Sequence, residues 1–328
     1  MSKSLGNVVD PLEVSSQYGS DALRYTLATG NAPGQDINLS LDRVTSSRNL
    51  TNKIWNASKF VLFGTKELSD EEFQELAATT FSTTEDLDRL DLASRWIVSR
   101  LHECVFRFCP LPSTQPERVF ARTNADAFNF GRSSLQLLVP ASNRGFVLCR
   151  ATDAVTAALE GFNFNEGGRL LYEFFWFDFA DWYIEIAKAS LYSDDAVSKL
   201  QTQQVLAYVM ERSARLWHPY IPFVTETLWQ ALPRQGESLM MAEWPGTELP
   251  RCQVAQQQFT VLKDIVSAVR NARSEYNVEI SKKVSAVVCI TDASLRQAVE
   301  SQIDSVCLLG KIDRSSAKVC LSTTGLPT

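Results

Sequence analysis

The sequence predicts a mainly α protein, a helical bundle followed by a small α+β module. Three observations carry that expectation. Apolar residues recur every three to four positions over several long stretches. A run of aromatics from Phe162 to Tyr183 keeps helical spacing, and strand-like character is confined to short pieces after Pro250. With 328 residues the chain exceeds one ordinary core and is expected to hold two or three domains.

Each element follows from local chemistry. Residues 1–45 read as a loop, a short helix from Pro11 to Tyr18, and a second helix from Ser20. There Ser20 and Asp21 offer capping oxygens, and Gly30, Pro33 and Gly34 end the helix. From Leu41 the set Val44, Leu50, Ile54, Ala57 and Val61 marks a long helix. Lys66 to Thr84 is polar and acidic and reads as a surface connection. Asp91 to Glu103 is helical, with Leu92, Trp96, Ile97 and Leu101 on one face. Asp153 to Leu191 is the aromatic-rich stretch, and an aromatic run at helical spacing reads as bundle core rather than a base-stacking platform. Gln201 to Leu216 is a further helix; Pro219 and Pro222 interrupt it before Phe223 to Leu232 resumes. After Pro250, a helix from Gln256 to Tyr276, a β-like run from Val284 to Ile290, a helix from Ser294 to Gln302 and a strand-like piece from Lys318 to Leu321 form the α+β module.

Composition narrows the function. Hydrophobic residues make up 45% and charged residues 21%, a globular balance. No apolar run approaches the roughly 20 residues that span a bilayer, so no membrane role is expected. The Met1 end shows no targeting peptide, although an upstream segment could carry one. Seven cysteines, odd in number and without a CxxC pair, read as free thiols in a reducing compartment. With only His102 and His218 present, a His-based metal centre or triad lacks material, and both rings read as structural. A net charge of −6 argues against non-specific nucleic-acid coating but leaves room for a local basic face.

Residues 104–152 break the pattern. They hold four of the twelve prolines and six arginines, with no lysine and no lasting periodicity. Joining Glu103 to the Asp153 region would continue the apolar face of Ile97 and Leu101 into Ala154, Val155 and Ala158. The expectation is an insertion into one helix, disordered or non-native; the alternative is an Arg-rich loop on RNA phosphate.

At the start, Ser2-Lys3-Ser4 followed by Gly6 places two hydroxyls and an ammonium on a flexible backbone that can approach a polyphosphate. Met1 to Val8 with Tyr18-Gly19-Ser20-Asp21-Ala22-Leu23-Arg24 resembles the KMSKS loop and following helix of class I aminoacyl-tRNA synthetases. Three further segments resemble the valyl enzymes of that class: Ala32 to Ile37 with Arg48 to Ala57, Phe174 to Glu185, and Leu216 to Glu226 with Arg270 to Tyr276. The resemblance covers most of residues 1–290 except the insertion. It implies a helical-bundle anticodon-binding domain, preceded by the KMSKS-loop and stem-contact segment. The implied domains are the end of a catalytic domain at 1–45, the anticodon-binding bundle at 46–250 and a truncated α+β module at 251–328.

The resemblance implies valyl-tRNA aminoacylation, with valine, ATP and Mg2+ as reactants and tRNA(Val) as partner. Lys3 matches the catalytic lysine of the loop, with Ser2 and Ser4 completing an ATP-phosphate site by electrostatic stabilisation. The motif's first lysine would precede Met1, and the expected nucleotide fold and editing domain have no counterpart. A fragment without tightly bound cofactor, inactive alone, is therefore expected. The alternatives are a non-catalytic RNA-binding helical module and a non-functional truncated gene product. A monomer is expected, in the cytoplasm, or in an organelle if an earlier segment carries a transit peptide. Candidate tRNA contacts are Arg43, Arg48, Lys53 and Lys59 on the first bundle helix and Arg212 and Arg215 on the fourth; no metal ligand is expected.

Overall fold

A computed structural model describes residues 9–30, 39–108, 164–233, 236–246, 249–279, 281–290 and 292–320. Ser2, Lys3 and Ser4, residues 109–152 of the expected insertion, and the tail from Leu321 lie outside the described residues.

The helices in order are α1 (Pro11–Tyr18), α2 (Ser20–Ala28), α3 (Leu41–Gly64), α4 (Asp70–Ala78), α5 (Thr84–Asp88), α6 (Leu92–Phe108), α7 (Phe164–Tyr172), a π-helical stretch (Glu173–Tyr183), α8 (Ile184–Leu191), α9 (Ala196–Trp217) and α10 (Pro222–Ala231). A 3-10 turn (Leu239–Met241), α11 (Gln253–Glu275), β1 (Val287–Cys289), α12 (Ala293–Ser301), α13 (Ile303–Gly310) and β2 (Lys318–Cys320) complete the chain. Compactness groups the chain into two units, each discontinuous in sequence: 1–79 with 101–177 and 206–249, and 80–100 with 178–205 and 250–328.

In the first unit α2 packs on α1 and α3, and α10 packs on α2 and α3. Val44, Leu50, Ile54, Ala57 and Val61 are all buried, as their spacing requires. Tyr25, Trp217 and Tyr220 form an edge-to-face aromatic cluster, with Phe175 edge-on against Trp217. The expected capping by Ser20 and Asp21 is not what forms. The residue preceding α2 is Gly19, with no side-chain cap, and the Ser20 hydroxyl bonds that of Ser15. Asp21 is buried and its carboxylate accepts the Phe223 and Val224 N–H groups, so it caps the first turn of α10, a sequence-distant helix opened by Pro222. Burial pushes the Asp21 carboxyl up despite those two donors.

The second unit is built on α11. The Trp96 ring stacks on Phe259 at 3.8 Å, and Trp182 meets the same ring edge-on. α12 and α13 pack on α11, and β1 and β2 pair in parallel with Val287 opposite Lys318.

Four local outcomes differ from the sequence expectation. The acidic connection at 66–84 contains α4, opened by a capping box in which Ser69 and Glu72 bond reciprocally. α5 begins with a second capping box, from Thr83 and Asp86. α6 runs to Phe108, five residues beyond Glu103, with Cys104 and Val105 buried, so helix continues into the first residues of the expected insertion. Ile303–Gly310 forms an additional helix.

Candidate nucleic-acid interface

Helix α3 gives one face to the core and one to solvent, and the chemistry of the outer face is unusual. Its buried positions are Val44, Ser47, Leu50, Thr51, Ile54, Ala57, Ser58 and Val61. On the opposite side, Arg48, Asn52, Trp55, Lys59 and Phe63 follow at spacings of three and four, so they line one exposed stripe. Trp55 is 37% exposed and Phe63 64%, on a face that packing alone would fill with polar groups. The Lys59 Nζ lies 5.6 Å from the Trp55 ring centroid.

A flank of α3 carries a second cation–aromatic arrangement. The Lys53 Nζ sits 3.8 Å over the Trp176 ring. Trp176 stacks on Tyr172 at 5.3 Å, and Phe177, half exposed, meets Tyr172 edge-on. Of the rest of the aromatic run, Phe174, Phe175, Phe179, Trp182 and Tyr183 are buried, Phe164 is 38% exposed, and Phe162 lies outside the described residues. The expectation that this run forms core therefore holds for most of its members, and Tyr172, Trp176 and Phe177 form a surface edge.

The six candidate contact residues divide. Arg48 and Lys59 stand on the outer stripe, and Lys53 on its flank. Arg43 is exposed but donates from Nη2 to the Gly30 carbonyl at 2.9 Å, tying the start of α3 to the end of the α2 segment. Arg212 and Arg215 are turned inward by one carboxylate. Glu211, itself buried, accepts from Arg212 Nη1 at 3.0 Å and Arg215 Nε at 2.7 Å. Arg212 also covers Tyr208, and Arg215 covers Trp229 and donates to the Glu243 carbonyl at 2.6 Å. These two arginines therefore brace α9, with about a fifth of each side chain still exposed.

Both histidines are buried and bonded. His102 Nε2 is 2.8 Å from the Tyr208 hydroxyl, and His218 Nδ1 is 2.8 Å from the Thr225 hydroxyl. Burial pushes the His218 imidazole below its usual value. Among the described residues no three His, Cys, Asp or Glu side chains converge as a metal site, and Cys104, Cys252, Cys289 and Cys307 form no disulfide. No described helix is long and apolar enough to cross a membrane.

The residues that sequence reading missed are Trp55, Phe63, Tyr172, Trp176 and Phe177. A signal existed for the first two, which fall out of phase with the buried set of α3.

Residues 147–288 match the anticodon-binding domain of tRNA ligase, and residues 1–40 match the class I tRNA synthetases of the I, L, M and V group. The chain is 39% identical over 315 residues to the chloroplastic/mitochondrial valine--tRNA ligase 2 of Arabidopsis thaliana, covering 95% of this chain and 27% of that one. It is 38% identical over 307 residues to the valine--tRNA ligase of Listeria monocytogenes, covering 93% of this chain and 28% of that one. A solved LeuRS complex with tRNA and LeuAMS from Agrobacterium radiobacter K84 superimposes with a TM-score of 0.42 at 15% identity, covering 88% of this chain and 24% of that one. The sequence matches together support a class I aminoacyl-tRNA synthetase part with an anticodon-binding domain. Within that family it corresponds to the C-terminal part of a valine--tRNA ligase, spanning a little over a quarter of the length of the relatives it matches.

Proposed function

We propose that this chain supplies the tRNA-holding part of valyl-tRNA aminoacylation. In that reaction valine and ATP, with Mg2+, give valyl-adenylate and pyrophosphate, and valine is then esterified to tRNA(Val). Ser2, Lys3 and Ser4 are proposed as the loop that stabilises charge on the ATP phosphates. The relatives' names support a valine enzyme, and the compartment is the cytoplasm or an organelle.

The observation that carries the reading is the outer stripe of α3. Exposed aromatics interleaved with cations suit an unpaired RNA loop, whose bases stack on rings while its phosphates meet Arg48 and Lys59. Stacking of one base on one ring is worth about 1–3 kcal/mol, or roughly a 5- to 150-fold change in affinity. Fluorescence anisotropy with labelled tRNA(Val) at several salt concentrations tests this. Trp55→Ala is expected to weaken binding by a factor in that range, and a tRNA with an altered anticodon to bind less tightly than tRNA(Val). Equal affinity for both tRNAs, or an unchanged Trp55→Ala variant, would remove the anticodon loop from this face. Valine-dependent ATP–pyrophosphate exchange by this chain alone is expected to be absent; measurable exchange would refute the division of labour.

A further inference from the structure

The described cations are unevenly engaged. Arg100 and Lys263 share Asp178, Arg212 and Arg215 share Glu211, and Arg314 pairs with Asp304. Lys282, Lys283, Lys311 and Lys318 are exposed and form no ion pair among the described residues. Four of the chain's eleven lysines fall within residues 282–318, in a chain whose net charge is −6.

The fold brings them together. Val284 bridges Ile312 in parallel, and its N–H donates to the Lys311 carbonyl at 3.2 Å, which sets Lys283 beside Lys311. Lys282 precedes this bridge. Lys318 lies opposite Val287, three residues or about 10 Å further along the strand. The acids nearby are Asp304, which pairs with Arg314, and Asp313, which accepts from the Ser315 hydroxyl at 2.8 Å and feels the charge of Lys283; no carboxylate there faces Lys282, Lys311 or Lys318 as an ion pair among the described residues. Lys311 is the most informative member. It follows the last residue of α13 in the left-handed region, at φ 52° and ψ 48°, a C-terminal position at which glycine is the favoured residue. Here the chain tolerates backbone strain and keeps an exposed ammonium.

We propose that Lys282, Lys283, Lys311 and Lys318 form a docking surface for the sugar–phosphate backbone of double-stranded RNA, recognised by charge rather than sequence. The proposal rests on the reading of the chain as a tRNA-binding protein, but it uses a different compact unit and different chemistry from α3. Base stacking plays no part in it, so its signature is salt dependence without sequence preference.

The test measures anisotropy with a blunt RNA duplex, and separately with tRNA(Val), across a salt series. Each phosphate neutralised contributes roughly 0.7–0.9 to the slope of log affinity against log salt. Lys282→Ala/Lys283→Ala/Lys318→Ala is therefore expected to lower the magnitude of the slope by about 2 and to weaken duplex binding at least tenfold at low salt. Lys311→Gly is expected to raise the melting temperature, because it relieves the left-handed residue, while weakening duplex binding severalfold. A lysine retained only as a helix cap predicts no loss of RNA affinity in that variant. An unchanged slope in the triple variant, unchanged binding by Lys311→Gly, or no duplex binding by the wild-type chain at low salt would each overturn the proposal. Anticodon-insensitive tRNA binding with an intact response of duplex binding to the lysine variants would instead defeat the α3 reading and leave this surface standing.

Discussion

Asp178 is the residue whose removal should be felt most in the second unit. Its side chain is 8% exposed and accepts from Arg100 Nε at 2.9 Å and Lys263 Nζ at 2.7 Å, so one carboxylate joins the π-helical stretch to α6 and α11. Lys263 also lies 5.1 Å from the Trp96 ring and 5.4 Å from Trp182, in the aromatic cluster around Phe259. Asp178→Ala deletes two charge-assisted hydrogen bonds, each worth about 1.5–3 kcal/mol, and removes the carboxylate that both cations share. Breaking a fully buried pair costs about 3–5 kcal/mol, but Arg100 and Lys263 are 30% and 25% exposed and can recover some hydration. The expected loss is therefore about 2–4 kcal/mol, read from the urea midpoint with the slope unchanged. Asp178→Asn keeps the shape and one acceptor but turns an amide NH2 toward a cation, so it recovers only part of the loss. Lys263→Met in the Asp178→Ala background should cost less than in wild type, by about 1 kcal/mol or more. A loss below about 0.5 kcal/mol for Asp178→Ala, or purely additive effects in the double mutant, would refute the network reasoning.

Two further outcomes follow from packing and burial in the first unit. A Cβ on Gly168 would collide with Thr29 Cγ2, and Thr29 is held by its hydroxyl bond to the Tyr25 carbonyl, so it cannot simply rotate away. Gly168→Ala should destabilise by about 1–3 kcal/mol and disturb the Tyr25 hydroxyl bond to the Gly168 carbonyl; a neutral midpoint in urea would show that α2 and α7 can part without cost. His218 is held neutral by burial, with its folded pKa below that of the unfolded chain. Below about pH 6.5 the unfolded chain takes up a proton that the folded chain does not. The stability associated with His218 is thus complete above about pH 6.5 and falls as the pH drops toward the folded pKa. His218→Gln should flatten the stability profile over that window, and an unchanged slope would assign it to other groups.

Much of this fold was legible because α3, α9 and α11 follow a 3.6-residue apolar repeat, and their bounds fall within a few residues of expectation at most ends. What was not legible has identifiable causes. Asp21 looked like a local cap because Ser and Asp before an apolar run usually are; its acceptors were instead claimed by α10, some two hundred residues away in sequence. The capping boxes of α4 and α5 were readable in Ser69 with Glu72 and Thr83 with Asp86, but acidic composition masked them. Arg212 and Arg215 could not be told from surface arginines, since burial of Glu211 between them is a tertiary fact. Trp55 and Phe63 could have been found by phasing α3 on its buried positions before asking which residues face outward.

The aromatic run shows how one local geometry sets both a stabilising contact and a recognition edge. Its buried residues recur about every four positions: Phe174 with Phe175, Asp178 with Phe179, Trp182 with Tyr183 and Ile184, and Ile186 with Ala187. On an α-helix such a repeat advances about 40° per step, so four groups would wind away from a single face. The π-helical stretch over Glu173–Tyr183 widens the turn beyond four residues and turns that drift back, because its bonds reach five residues back rather than four. Aromatic pairs then stay inward along the stretch, Asp178 is carried to the buried side where Arg100 and Lys263 meet it, and Phe177 is left outward beside Trp176. A sequence scanned only for a 3.6-residue period assigns this run to core as a block. The wider turn is what sets the inward pairs apart from Trp176, the ring that Lys53 covers.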